Sequence, residues 1–144
     1  MSLQDPMQKM SKSDPNENGY ILMLDSPDAV VRKIKRAVTD SGSEVKRGEG
    51  KEGIENLMSI YSAVTGKTME EIEAEFEGKG YGIFKAAVAE AVAETLKPIQ
   101  ARYQDLMNNK DYLEQVYRNG AEIASRTAAK TLSKVYRKVG FIQP

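Results

Sequence analysis

The feature that most constrains this chain is the recurrence of apolar residues at three- and four-residue spacing from its middle to its end. Ile54, Leu57, Met58, Tyr61 and Val64 form one series. Ile83, Phe84, Ala87, Val88, Ala91, Val92 and Leu96 form a second, and Leu113, Val116, Tyr117, Ala124, Ala128, Leu132, Val135 and Val139 a third. That period lines one face of a helix, whereas a half-buried strand would alternate. The punctuation agrees. Gly66, Gly78 and Gly140 stand where helices end, Thr68 and Glu71 have capping-box spacing, and Ser26-Pro27 reads as an N-cap followed by a first helical residue. The predicted architecture is an all-α bundle of five or six helices without internal repeat, preceded by a loop and a short extended N-terminal segment.

Finer expectations follow from the same reasoning. Residues Met1 to Glu17 read as loop, and Tyr20 to Leu24 as a strand or an extended docking segment. The first helix runs from Pro27 to about Val38, with Val30, Ile34, Ala37 and Val38 inward and Arg32, Lys33, Lys35 and Arg36 outward. Ser41 to Gly53 carries four glycines without apolar periodicity, which predicts a loop with a tendency to disorder. Ile72 and Phe76 point inward from a short helix whose glutamates at 70, 71, 73, 75 and 77 form a solvated acidic face. Pro98 kinks a helix or starts a new one. Asp111 is the expected N-cap of the last helix, whose third apolar series faces the core. Gly120 weakens that helix by about 1 kcal/mol relative to Ala.

At 144 residues the chain fits one core, and 40% hydrophobic with 29% charged residues is a soluble globular composition. No apolar run approaches the roughly 20 residues that cross a bilayer, and no secretory start is visible, so a cytoplasmic location is expected. There is no cysteine and no histidine. That excludes disulfides and thiolate-held metals and removes the usual acid/base group at neutral pH, so no metal site is predicted.

Chemistry concentrates near the start, in Lys9-Met10-Ser11-Lys12-Ser13-Asp14. Asp5-Pro6 before it and Asp14-Pro15 after it argue against a continuous helix. The result is a loop bearing two ammonium groups and two hydroxyls, suited to negative charge that develops on a leaving polyphosphate. A solvated polar tail is the plain alternative. A second charged feature closes the chain: Arg126, Lys130, Lys134 and Lys138 lie four apart, with Arg137 beside them, along one drifting helical face opposite much of the apolar set. Such a stripe can follow a phosphate backbone. It can equally be a solvated face with lysines placed near the negative end of the helix dipole. Tyr136, Arg137 and Phe141 are candidate base-stacking residues, with terminal packing as the rival role.

The lysine hexapeptide resembles the nucleotide-binding signature of class I aminoacyl-tRNA synthetases. Further segments resemble one family of that class, the tryptophanyl-tRNA synthetases, and occur in the same order. They are Met1-Ser2-Leu3 with Asp5-Pro6, Ala37-Val38-Thr39-Asp40-Ser41, Glu77 to Lys85, Leu96-Lys97-Pro98-Ile99-Gln100 and Arg102-Tyr103. The resemblance implies the C-terminal half of such an enzyme, from the lysine loop onward. Residues 1–24 would be the loop with its connection to the catalytic domain, and 25–144 the helical domain that meets the tRNA anticodon arm. Lys12 and Lys9 are the implied catalytic lysines. Lys9, Met10, Ser11, Lys12 and Ser13 would hold ATP, and Arg126, Lys130, Lys134, Arg137 and Lys138 the tRNA.

The His-Ile-Gly-His-type signature of the class, which belongs to the preceding nucleotide-binding domain, has no counterpart in these residues. The resemblance therefore implies ATP with Mg2+ and tRNA(Trp) as ligands of the whole homodimeric enzyme. This chain alone is expected to be a monomer without catalysis or a tightly bound cofactor. A stand-alone RNA-binding helical module and a helical interaction protein are the two other readings of the same residues.

Overall fold

The structure is a computed structural model that describes residues 1–142. Its described residues form five α-helices, one 3-10 turn and no strand, the all-α class that the periodicity predicts. The helices are α1 (Pro27–Lys35), α2 (Glu52–Thr65), α3 (Met69–Glu75), α4 (Gly80–Asn108) and α5 (Lys110–Val139), and the 3-10 turn spans Glu17–Gly19. The chain divides into two compact units, Met1–Gln100 and the residues from Ala101 onward.

The first unit holds the core. Val30 and Ile34 of α1, Ile54, Leu57, Met58 and Tyr61 of α2, Ile72 of α3, and Phe84, Val88 and Val92 of α4 are all buried there. Tyr61, Phe76 and Phe84 meet edge to face with centroids 4.9–5.9 Å apart, the geometry that aromatic quadrupoles favour. Local signals act as read. The Ser26 hydroxyl accepts from the Ala29 N–H, Thr68 and Glu71 close a reciprocal capping box, and Gly66 ends α2 in the left-handed region at φ 76°.

Several expectations change. α1 ends at Lys35, and Val38 is exposed rather than inward. Lys33 is buried, not outward. Its ammonium lies over the Tyr20 ring, 5.1 Å from the centroid, and 2.6 Å from Asp25, so the buried charge has both an ion-pair and a cation–π partner. Tyr20 to Leu24 forms no strand: Ile21 packs on the core while Leu22, Met23 and Leu24 are exposed.

The expected loop ends sooner, since Glu52 and Gly53 already belong to α2, and residues 41–51 are held in place because Val45 is buried and Arg47 binds Glu70 and Glu73. The acidic face of α3 is thus partly neutralised, with Glu75 also paired to Lys67. Ile83 is exposed. Pro98 lies inside α4, which continues through it to Asn108.

In the second unit, Asn109 rather than Asp111 caps α5, accepting from the Tyr112 N–H at 3.3 Å. The last apolar series does not form a core either. No residue of α5 is buried among the described residues, because amphipathic spacing sets which face is apolar and not whether a neighbour covers it.

Candidate phosphate loop and basic helix

The lysine loop grows from a buried root. Ser2 and Leu3 are almost fully covered, and their backbone groups are claimed by distant parts of the first unit. The Asn56 amide donates to Ser2 O at 3.0 Å, the Val38 N–H donates to Leu3 O at 2.8 Å and the Leu3 N–H donates to Gly19 O at 2.9 Å. The Gln4 amide adds a bond to Arg36 O at 2.9 Å. Asp5 then turns the chain by accepting from the Met7 N–H, while the Ser2 N–H donates to Gln8 O at 2.8 Å. On the far side the Asp14 carboxylate accepts from the Asn16 N–H at 2.8 Å. The two ends are therefore tied, and the freedom left lies between Lys9 and Ser13.

Within that span Met10 is half-buried and packs against the core. Ser11 to Asp14 form a tight turn: the Asp14 N–H donates to Ser11 O at 3.1 Å, and the Ser13 N–H to the Ser11 hydroxyl at 3.2 Å. Lys12 occupies the tip. Lys9, Ser11, Lys12 and Ser13 are exposed, and neither lysine has an ion-pair partner among the described residues. The loop thus presents two uncommitted cations on flexible stems, Lys9 before the turn and Lys12 at its tip, an arrangement that can accept and follow the oxygens of a polyphosphate. No group of three or more carboxylates that could hold a metal occurs among the described residues.

The second predicted set lies wholly on α5. Arg126, Lys130, Lys134, Arg137 and Lys138 are all exposed. Arg126 is engaged with Glu122 one turn earlier at 2.8 Å, while the other four make no ion pair among the described residues. A cationic ridge on a helix with no buried face can lie along a nucleic-acid backbone. Tyr136 and Phe141 meet at a tilt of 55°, centroids 6.2 Å apart, and the Phe141 N–H donates to Tyr136 O. They are occupied as a helix-terminus clasp.

One cluster has no forerunner in the sequence reading. Lys51 donates to the Tyr81 hydroxyl at 2.7 Å and to Asp40 at 3.2 Å, and Tyr81 donates to the other Asp40 oxygen at 2.7 Å. Burial pushes the Asp40 carboxyl up, but bonds from Tyr81, the Gly42 N–H and Lys51 outweigh it and hold the carboxyl below its ordinary range. Lys51 is raised, chiefly by its bond to Tyr81. Nearby, Lys85 donates to Ala37 O at 2.8 Å and to the Thr39 hydroxyl at 3.1 Å, and burial lowers its pKa. The available signal was the pair of family-like segments around Asp40 and Tyr81, which carry all of these groups but Lys51 and the Gly42 N–H. Gly78 and Gly80 adopt φ of 73° and 71°; they serve the turn into α4.

Comparison with known proteins gives the family. Residues 1–97 match the family described as tRNA synthetases class I (W and Y). The chain is 48% identical over 144 residues to tryptophan–tRNA ligase of Clostridium acetobutylicum, covering all of this chain and 43% of that protein. It is 51% identical over 141 residues to tryptophan–tRNA ligase of Bacillus subtilis, covering 97% of this chain and 42% of that protein. The chain therefore spans less than half the length of these relatives. The crystal structure of tryptophanyl-tRNA synthetase from Mycoplasma pneumoniae superimposes with a TM-score of 0.75 at 30% identity, over 99% of this chain and 45% of that one. With the matched region taking in most of its length, the chain belongs to the class I tRNA synthetases of the W and Y type.

Proposed function

We propose that this chain is the C-terminal portion, from the Lys9–Asp14 loop onward, of a tryptophan–tRNA ligase. The observation that carries the reading is the loop from Lys9 to the Ser11–Asp14 turn, whose two ammonium groups, Lys9 before the turn and Lys12 at its tip, are exposed and have no ion-pair partner among the described residues while the root at Ser2 and Leu3 is buried. The names of the relatives above, and the share of their length that the chain covers, support it.

In the parent reaction a tryptophan carboxylate oxygen attacks the α-phosphorus of ATP. A new P–O bond forms, and the bond to the β-phosphate bridge breaks, with the electron pair leaving on pyrophosphate. The adenylate is then attacked by a ribose hydroxyl of tRNA(Trp), and AMP departs. No side chain needs to supply a nucleophile in the first step, so the absence of histidine is no obstacle. What the loop contributes is charge that follows the departing pyrophosphate, with Lys12 at the tip and Lys9 beside it. Met10 anchors the loop, and Ser11 and Ser13 offer hydroxyl and N–H donors. Mg2+ accompanies the triphosphate.

Residues 1–24 serve as the loop and its connection. Residues 25–144, the last two outside the described residues, serve as the anticodon-arm domain, with Arg126, Lys130, Lys134, Arg137 and Lys138 on the tRNA backbone. No helix among the described residues is long and apolar enough to span a membrane, and the work of such an enzyme is cytoplasmic. The whole enzyme is a homodimer, and this chain by itself is a monomer without activation activity.

In the full-length ligase, Lys12→Ala lowers tryptophan-dependent ATP–pyrophosphate exchange on the order of 10²-fold, a loss of one charge at the leaving group. An unchanged exchange rate would remove Lys12 from the mechanism.

A further inference from the structure

We propose that the segment from Arg36 to Asp40 is a strut between α4 and the root of the lysine loop, and that Lys85 is the positioning residue that sets it. The segment follows the last turn of α1 and belongs to no helix, yet long-range partners hold it from two sides. Towards the loop, the Val38 N–H donates to Leu3 O and Arg36 O accepts from the Gln4 amide. Towards α4, Ala37 O and the Thr39 hydroxyl accept from Lys85, and Asp40 accepts from Tyr81. Beneath it lies Gly53 of α2, where an added Cβ would overlap Val38 O. The strut therefore rests directly on α2 backbone, and its height is fixed by that contact.

Lys85 is an unusual choice for a purely structural tie. Its ammonium is partly covered and bonds two uncharged oxygens, and it makes no ion pair with a carboxylate among the described residues. Taking a charge from water without an opposite charge costs free energy, and here the return is a rigid grip on two residues of one segment. From that segment only Leu3, Gln4 and the Asp5 turn separate the grip from Lys9. The path is contiguous, hydrogen bond by hydrogen bond, which is the physical requirement for coupling. A shift at Lys85 would thereby change where Lys9 and Lys12 stand relative to the triphosphate. That functional consequence rests on the phosphate-loop reading above; the mechanical one does not.

Amide hydrogen exchange on this chain tests the mechanical part. In Lys85→Met, the amides of Val38, Leu3 and Ser2 should exchange about tenfold faster, while Leu57 and Met58 in α2 keep their protection. Lys85→Arg should recover part of the loss. Faster exchange at Val38 alone, with Leu3 and Ser2 unmoved, would overturn the strut. If Lys85→Met loses protection everywhere, Thr39→Val removes just one of the two acceptors, and the same three amides then decide. In the full-length ligase, Lys85→Met should raise KM for ATP about tenfold and leave KM for tryptophan within about twofold. Equal effects on both would overturn the positioning role. An unaltered Lys12→Ala enzyme would instead remove the phosphate-loop reading and leave the exchange result standing.

Discussion

α2 and α5 are built on the same apolar period, yet one contributes six buried residues and the other none. Ile54, Leu57 and Met58 are wholly inaccessible because α1, α3, α4 and the loop root supply side chains at matching positions. Leu132, Val135 and Val139 repeat the spacing and remain about half exposed. Periodicity, then, specifies a face; burial is a property of pairs of faces. The free energy of folding should follow burial, while the phosphate contacts proposed for the basic stripe would fall to the helix that packs least.

The sharpest way to break this contrast is a pair of large-to-small changes. Phe84→Ala, which empties the centre of the aromatic trio, should cost about 3–5 kcal/mol in chemical denaturation, whereas Leu132→Ala should stay below about 1 kcal/mol. Comparable losses would mean that α5 is covered in solution. Next in size is an effect on binding. The double change Lys130→Ala and Lys134→Ala should leave thermal stability unchanged and weaken tRNA(Trp) binding, flattening the plot of log affinity against log salt by about 2. An unaltered slope would return the stripe to a solvated face.

The smallest expected effect lies in acid. Glu73 is held below its ordinary 4.5 by hydrogen bonds from the Arg47 side chain and N–H, with burial opposing. Asp40 lies below its ordinary 3.8 although its largest influence, burial, acts the other way. Because both folded values are depressed, the unfolded chain binds more protons in this range. The stability these groups contribute is complete above pH 4.5 and is lost as pH falls through their folded values. Glu73→Gln should make the acid limb of a stability-versus-pH curve shallower, and since the groups are partly exposed, added salt should shrink the difference.

What could be read from the sequence was whatever a local rule decides. The capping box at Thr68, the Ser26-Pro27 start, the glycine stops and the core series in α2 and α4 each depend on residues within a turn or two of one another. The lysine turn was legible for the same reason, since Asp5-Pro6 and Asp14-Pro15 bracket it. Lys33 and Val38 exchanged their expected environments because Asp25 and Leu3, partners set by tertiary packing, outbid the helical pattern. Asp40, Lys51, Tyr81 and Lys85 come together from three separate stretches, and no spacing along the chain announces that. Arg47 ordered a loop that looked loose by composition, through two glutamates more than twenty residues away.

Pro98 has a bearing on how order is lost. Lacking an N–H, it leaves the carbonyl of Glu94 without its helical donor, so α4 is continuous in shape but weakened in cooperativity at that point. Fraying that begins at Asn108 and unzips towards the N-terminus reaches a missing rung just before it would disturb Leu96, Ala93 and Val92, which belong to the buried set. The proline works as a firebreak: beyond Gln100, whose amide bonds Met23 O and Asp25 O, the two turns over residues 101–108 can open and close many times without disturbing the core.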